Sequence, residues 1–333
     1  MTNSYSGGGA ENSISLLHKS FRDSGIESFL LCLNQSETHN RSVSTPGAIT
    51  LNRGWGDGVF GTLRNFLEFK RVLNSLNSKI IVGNCELPEL YLSLISLKNY
   101  KAYCVEHTSF PWFGRRILGY LVRTVLALKK VSWITVSSEA GKIWPTSTSS
   151  LHIPNPIARP SETKKASGEL KLVFIGRLRK EKRPDWALQV SKFSGIPIDF
   201  YGDGPMSAEL TDYAQIHEID AIFHGYTEGV WNQISENSIV IVPSEFEGDG
   251  LTVVEAIVRG LPILLADNID LLRFGLHSQC YSASALEMAE SLKMMTSEKL
   301  NSFRPTQVQI EKYRTSRSLE SVTNLWKSIL ELG

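Results

Sequence analysis

Between Ser238 and Asp267 the chain changes character so abruptly that few folds accommodate it. Ser238–Val242 (SIVIV) is the kind of apolar run found in parallel strands buried on both faces. A turn rich in glycine and acid follows, then a helical pattern from Thr252 to about Arg259. Gly260-Leu261-Pro262 stops that helix, and Ile263–Ala266 (ILLA) reads as the next strand. Strand, helix and strand in this order belong to an open α/β sheet, where ligands bind beyond the C-terminal ends of the strands. Two carboxylates bracket the turn: Glu247 at the lip of the strand and Glu255 in the first turn of the helix. Gly248 and Gly250 let the backbone approach a ligand, and the amides of Gly250, Leu251 and Thr252 would face an anion there. A purely structural reading fits as well. Thr252-Val253-Val254-Glu255 matches a capping box, and Glu247 is then an ordinary solvated loop acid.

The same alternation runs through the rest of the chain. Strand patterns occur at residues 28–33, 48–51, 79–82, 102–105, 132–136 and 151–153, with helical patterns at 61–74 and 88–97. Together they predict a parallel sheet covered on both faces. At the start, Gly7, Gly8, Gly9, Ala10 and Glu11 lead into an amphipathic helix reaching about Ser24, with hardly room for a strand before them. The first strand is therefore abbreviated or missing, and the glycines are either a loop near an anion or a flexible tail. His107, directly after a strand, also stands at a lip, as a functional group or as a satisfied structural histidine. Residues 158–168 are polar and read as a linker.

After the linker, residues 170–175 form a strand, followed by Gly176, Arg177 and a cationic run that includes Lys182. Cations after a strand suit a diphosphate, although a charged run is equally a solvated loop. Residues 198–201 end in Gly202-Asp203-Gly204-Pro205. Tyr226, after residues 221–225, either stacks on a base or packs on a neighbour.

Residues 115–130 form a basic amphipathic stretch in which Arg116, Arg123 and Lys130 fall seven apart on one helical stripe. Such a helix suits an anionic membrane surface, or it is a core helix with its cations in water. With 35 Lys and Arg against 34 Asp and Glu, the chain has no charge excess to favour nucleic acid. Its length suits two domains with cores of their own. Cys32, Cys85, Cys104 and Cys280 have no paired spacing, so free thiols in a reducing, cytoplasmic setting are expected. No run is long enough to span a bilayer, and no signal peptide is visible.

The segment from Pro243 to Asp267 resembles the signature of retaining glycosyltransferases of family 4, a Glu, seven residues and a second Glu, here Glu247 and Glu255. Gly176-Arg177 with Lys182, the Gly202–Pro205 turn and Gly8-Gly9-Ala10-Glu11 resemble further family motifs. The resemblance implies the GT-B fold, two Rossmann-like α/β domains facing each other across a cleft. It places an N-terminal acceptor-side domain at residues 1–157 and a C-terminal nucleotide-sugar domain at 158–314. A last helix, 315–333, crosses back to the first domain, with a hinge near Ile153-Pro154-Asn155-Pro156. It implies that Glu247 contacts the donor sugar, helped by His107, and that Glu255 holds the ribose, with Tyr226 near the base. Arg177, Lys182 and the amides of Gly250, Leu251 and Thr252 would bind the diphosphate, with Gly8 and Gly9 close by. One position departs from the pattern: Asp249 stands where the family usually has an aromatic residue, and this bears on donor identity.

The implied reaction moves a hexose from a UDP- or GDP-sugar to an acceptor hydroxyl with retention. No cofactor is expected. The chain contains no Asp-x-Asp to hold a metal on the diphosphate, so cationic side chains fit a metal-independent enzyme. The acceptor is a glycan or lipid-linked glycan of O-antigen, capsule or lipopolysaccharide assembly, and contact with the inner membrane surface through residues 115–130 is expected. Nucleic acid is not an expected partner. Two alternatives are a GT-B nucleotide-sugar epimerase and a non-catalytic nucleotide-sugar-binding module. A NAD-binding enzyme is disfavoured, because no G-x-G-x-x-G follows a first strand.

Overall fold

The computed structural model describes residues 1–3, 8–34, 46–51, 58–107, 112, 114–137, 150–160, 169–293 and 295–332. Gly7 and most of the linker, residues 161–168, lie outside the described residues. The chain forms two units, one of residues 1–158 with 317–333, the other of residues 159–316.

The first unit runs α1 (Gly9–Asp23), β1 (Leu30–Cys32), β2 (Ala48–Thr50), α2 (Val59–Ser75), β3 (Ile80–Asn84), α3 (Glu86–Leu94), β4 (Lys101–Glu106), α4 (Arg116–Leu128), β5 (Ser132–Thr135) and β6 (Ser150–His152). All its strand pairs are parallel, with β1 beside β2 and the order β3-β4-β5-β6. Residues 1–3 join the two groups. Thr2 bridges Cys32 in parallel and donates to Leu31 O (3.0 Å), while on the other side Asn84 N donates to Met1 O (3.0 Å). A three-residue segment thus occupies the place of a strand between β1 and β3.

Alternate residues of β4 feed two cores, as the period of a strand requires. Ala102 and Cys104 pack with Phe69 of α2, Tyr91 of α3 and Val122 and Leu126 of α4. Tyr103 and Val105 pack on the opposite face with Leu17 of α1 and with Val322 and Trp326.

The second unit runs β7 (Lys171–Ile175), α5 (Pro184–Ser194), β8 (Ile198–Tyr201), α6 (Ser207–Ile216), β9 (Ala221–Phe223), β10 (Ser238–Val242), α7 (Leu251–Val258), β11 (Ile263–Ala266), α8 (Ile269–Leu272), β12 (Tyr281–Ser282), α9 (Ala285–Leu292), α10 (Ser297–Ser302) and α11 (Gln307–Ser316). Its sheet is parallel, in the order β12-β11-β10-β7-β8-β9. Every residue of β10 and β11 is buried, which explains why both read as unbroken apolar runs. The chain then returns to the first unit as α12 (Leu319–Leu330), packed on α1, with Ser20 Oγ and Thr323 Oγ1 2.8 Å apart. Ile157 N donates to Arg317 O (2.9 Å), so the departing and returning chains lie side by side.

Helix α4 departs from expectation. Its stripe of cations does not face outward as one surface, because Arg123 is only 3% exposed. The stripe points inward at Gly119, Val122, Arg123 and Leu126 and runs off both helix ends. Arg116 is the first helical residue, and Lys130 lies beyond the last in a left-handed conformation (φ 58°). Arg123 is buried because it is paired. Its guanidinium bonds both carboxylate oxygens of Glu89 (3.0 and 2.8 Å), contacts Glu106 (2.5 Å) and lies 4.6 Å from the ring centre of Trp133. Trp112 Nε1 adds a bond to Glu89 (2.8 Å), and Gly119 leaves room for that indole, since a Cβ there would sit 2.4 Å from it.

Candidate functional site

The turn after β10 is built as a socket at the C-terminal ends of β7 and β10, which are adjacent strands. Lys180–Lys182 form a short 3₁₀ turn after β7 that aims Lys182 across the lip. The Lys182 ammonium lies 2.5 Å from Glu247 Oε1, which also accepts from Ser244 Oγ (2.8 Å). The backbone of Glu247 is fixed too, since its amide donates to Asp270 Oδ2 (3.0 Å) at the start of α8. Glu247 is buried and Lys182 half-buried, with side-chain exposures of 10% and 29%. The carboxylate is therefore held in one orientation rather than loose in solvent, contrary to the solvated-acid reading.

Helix α7 begins one residue earlier than its sequence pattern suggests. Gly250, with φ 67°, is the N-cap, and no side chain caps the helix. A Cβ at Gly250 would lie 2.6 Å from the Phe274 ring, so both conformation and space demand glycine. Thr252 is inside the helix, and its hydroxyl reaches Ile175 O (3.3 Å) at the end of β7. The capping-box reading of Thr252 and Glu255 is thereby excluded. The same bond ties the helix start, with Leu251 and Thr252, to the strand that leads into Gly176 and Arg177. Asp249 is buried immediately before this N-terminus, and Arg273 donates to Gly248 O (2.9 Å) beside it.

Glu255 lies in the second turn of α7 rather than the first. Burial pushes its carboxyl above the ordinary carboxylate range, and Arg259 together with a hydrogen bond from Trp231 pulls it partly back. Arg259 lies 4.6 Å from the Trp231 ring centre and donates to Glu255 O (2.9 Å). Trp231, in the 3₁₀ turn Val230–Asn232 after β9, is thus the residue that orients this acid.

The remaining lip is latched by backbone. Gly202 (φ 138°) and Gly204 lie directly against residues 176–178, where Cβ atoms would come within 2.0 Å of Gly176 O and 2.4 Å of Leu178 O. Leu178 N donates to Asp203 O (2.9 Å), and Asp203 Oδ2 accepts from the amide of Tyr226 (2.8 Å). Arg177 and the Tyr226 ring, 47% exposed, therefore project from loops fastened to each other. Sequence reasoning did not single out Asp203, Ser244, Asp270 or Trp231. Only Asp203, inside the glycine-rich 202–205 turn, carried a local signal.

In the first unit, His107 follows β4 and its Nε2 is 3.1 Å from Asn84 Oδ1 at the end of β3. Asn84 Nδ2 donates to Met1 O (3.1 Å). Gly8 is the extended N-cap of α1 (φ −171°) and Gly9 its first residue, with Ser13 Oγ donating to Gly9 O (2.8 Å). Asn84 and His107 stand at the C-terminal ends of β3 and β4, whereas Gly8 and Gly9 open α1.

Residues 158–273 match the family described as glycosyl transferases group 1. That stretch contains Arg177, Lys182, Tyr226, Glu247, Gly250, Leu251, Thr252 and Glu255. An uncharacterised glycosyltransferase of Haemophilus influenzae is 30% identical over 204 residues, covering 57% of this chain and 56% of its own. An uncharacterised 41.2 kDa protein in the cps region of Klebsiella pneumoniae is 25% identical over 118 residues, covering 34% of this chain and 32% of its own. The chain thus spans about half, or less, of the length of the curated relatives it matches. Among solved structures, HepE of Anabaena in complex with UDP-glucose superimposes with a TM-score of 0.79 at 12% identity, over 99% of this chain and 97% of that one. The fold is therefore the GT-B α/β architecture of glycosyltransferases.

Proposed function

We propose that this protein transfers a hexosyl group from a nucleotide-diphosphate sugar to an acceptor hydroxyl, with retention of anomeric configuration and without a metal. The observation that carries this reading is the pairing of Lys182 with Glu247 at the lip beside the start of α7. A cation, an oriented carboxylate and a helix N-terminus there supply what a departing diphosphate and its sugar require. An incoming diphosphate competes with Glu247 for Lys182, because phosphate oxygens make stronger charge-assisted bonds to an ammonium than one carboxylate oxygen does. Glu247, released from the cation, then meets the sugar hydroxyls. Arg177 takes the other phosphate, the Leu251 and Thr252 amides cradle it, Glu255 holds the ribose and Tyr226 stands near the base.

The UDP-glucose bound to HepE supports a UDP-sugar as donor. The relative encoded in a cps region supports an acceptor in surface-polysaccharide assembly, a glycan or lipid-linked glycan of capsule, O-antigen or lipopolysaccharide type. A cytoplasmic enzyme fits both, since nucleotide sugars are made there. No helix among the described residues is long and apolar enough to cross a membrane.

The test is nucleoside-diphosphate release from a panel of UDP- and GDP-sugars, with and without glycan acceptors. Glu247→Ala is expected to lower transfer at least about a hundredfold while still binding nucleotide. Undiminished transfer by that variant would end the assignment of Glu247. Free sugar or its isomer formed without an acceptor would favour an epimerase instead.

A further inference from the structure

Helix α4 carries a second set of apolar residues that faces away from the protein. Gly119, Val122, Arg123 and Leu126 face the core, while Ile117 and Leu128 are 82% and 79% exposed and Tyr120 and Leu121 are more than half exposed. Helix α2, which packs into the same core on the same side of the sheet, does likewise with Val59, Phe60, Leu63 and Leu67. Scattered exposed leucines are ordinary, but aligned ones along a helix mark an interaction surface.

The charges beside these residues indicate its partner. Helix α4 carries no carboxylate, Arg115 and Arg116 are exposed at its start, and Lys130 is exposed just past its end. On α2, Arg64, Lys70 and Arg71 are exposed against the single acid Glu68. An apolar face rimmed by cations suits anionic headgroups over acyl chains. A second copy of the chain suits it poorly, because a two-fold contact through α4 would set like charges against each other with no acid on that helix to pair them.

We propose that α4, with the exposed face of α2 on the same side of the sheet, is the surface on which this protein lies on an anionic lipid bilayer. Ile117, Tyr120, Leu121 and Leu128 enter the boundary between headgroups and acyl chains, and Arg115, Arg116 and Lys130 meet the phosphates. This replaces the cationic stripe expected from the sequence, from which Arg123 is withdrawn into the core. It deepens the functional reading by naming where a lipid-linked acceptor is met, yet vesicle binding itself requires no donor.

The experiment is co-sedimentation with vesicles of phosphatidylglycerol and phosphatidylethanolamine, and with vesicles of phosphatidylcholine alone. The wild type is expected to sediment with the anionic vesicles and much less with the neutral ones. Ile117→Asp combined with Leu121→Asp should lower the partition at least about tenfold, with the unfolding transition unchanged because both residues face water. Arg115→Ser with Arg116→Ser should give a partial loss that added salt imitates in the wild type. Failure of the wild type to bind anionic vesicles, or equal binding by the double aspartate variant, would overturn the proposal. So would a wild-type dimer in sedimentation velocity that the aspartates make monomeric, since a second copy would then cover the face. UDP titration on the same samples separates the two claims: lost nucleotide binding with retained vesicle binding removes the donor reading and leaves this one standing.

Discussion

Lys182 and Glu247 stand 65 positions apart in the chain, and their contact is a product of strand order. β7 and β10 are neighbours in the sheet, so the turns that follow them share one lip. Each partner holds the other in place across that lip. Glu255 is in the opposite situation: burial holds its proton more tightly in the folded chain than in the unfolded one. For a carboxyl raised in this way, folded and unfolded states are alike below the unfolded value. The folded state then loses ground as pH rises towards the folded value. Glu255→Gln removes that cost. Its unfolding midpoint should therefore gain on the wild type as pH rises above the ordinary carboxylate range of about 4, as read by thermal denaturation across a pH series. A difference that stays flat with pH would mean that the carboxyl is not desolvated. Nucleotide affinity should fall in the same variant, because an amide is a weaker acceptor for ribose hydroxyls than a carboxylate.

At the scale of elements, α4 shows what periodicity can and cannot deliver. Residues seven apart do share a stripe, and Arg116, Arg123 and Lys130 occur at that interval. Periodicity says nothing about which side faces the protein. The partners that draw Arg123 inward, Glu89 and Glu106, come from α3 and β4 and are visible only after folding. Burial pushes the Glu89 carboxyl up against the opposing pull of Arg123, so the triad holds only while complete. Arg123→Met should cost about 3–5 kcal/mol in urea unfolding, because it strands two buried acids. Adding Glu89→Gln and Glu106→Gln should recover part of that loss. A single-variant cost below about 1 kcal/mol would show that water reaches the pair.

The same contrast governs the site. The strand–turn–helix of residues 238–258 was legible because apolar runs, glycines and the Gly260–Pro262 stop are local signals. The alternative of Thr252 as a cap stood open because a threonine two residues inside a helix and one at its N-cap look alike in sequence. Gly250 decides the matter through its left-handed φ and the Phe274 ring above it. Asp270 and Trp231 were invisible because each acts through a contact between elements distant in sequence, and Ser244 because nothing in a turn serine marks its bond to Glu247 three residues on. Residues 1–3 were too few to read as a strand, yet they take a strand's position by bonding on both sides.

At the scale of the whole molecule, each of the two units is an α/β unit of parallel strands with candidate site residues at strand C-termini. The second carries the cations and both acids, and the first carries His107, the α1 start and the apolar face of α4. The central claim is that the lip of β7 and β10 binds a nucleoside diphosphate through Arg177 and Lys182. Calorimetric titration of UDP and GDP into the wild type, Arg177→Ala and Lys182→Ala, with EDTA present, tests it most directly. One diphosphate should bind the wild type, and each variant should bind it about ten- to a hundredfold more weakly, the loss of one charge-assisted bond. Equal affinity across all three proteins, or binding of NAD in place of either diphosphate, would contradict the account.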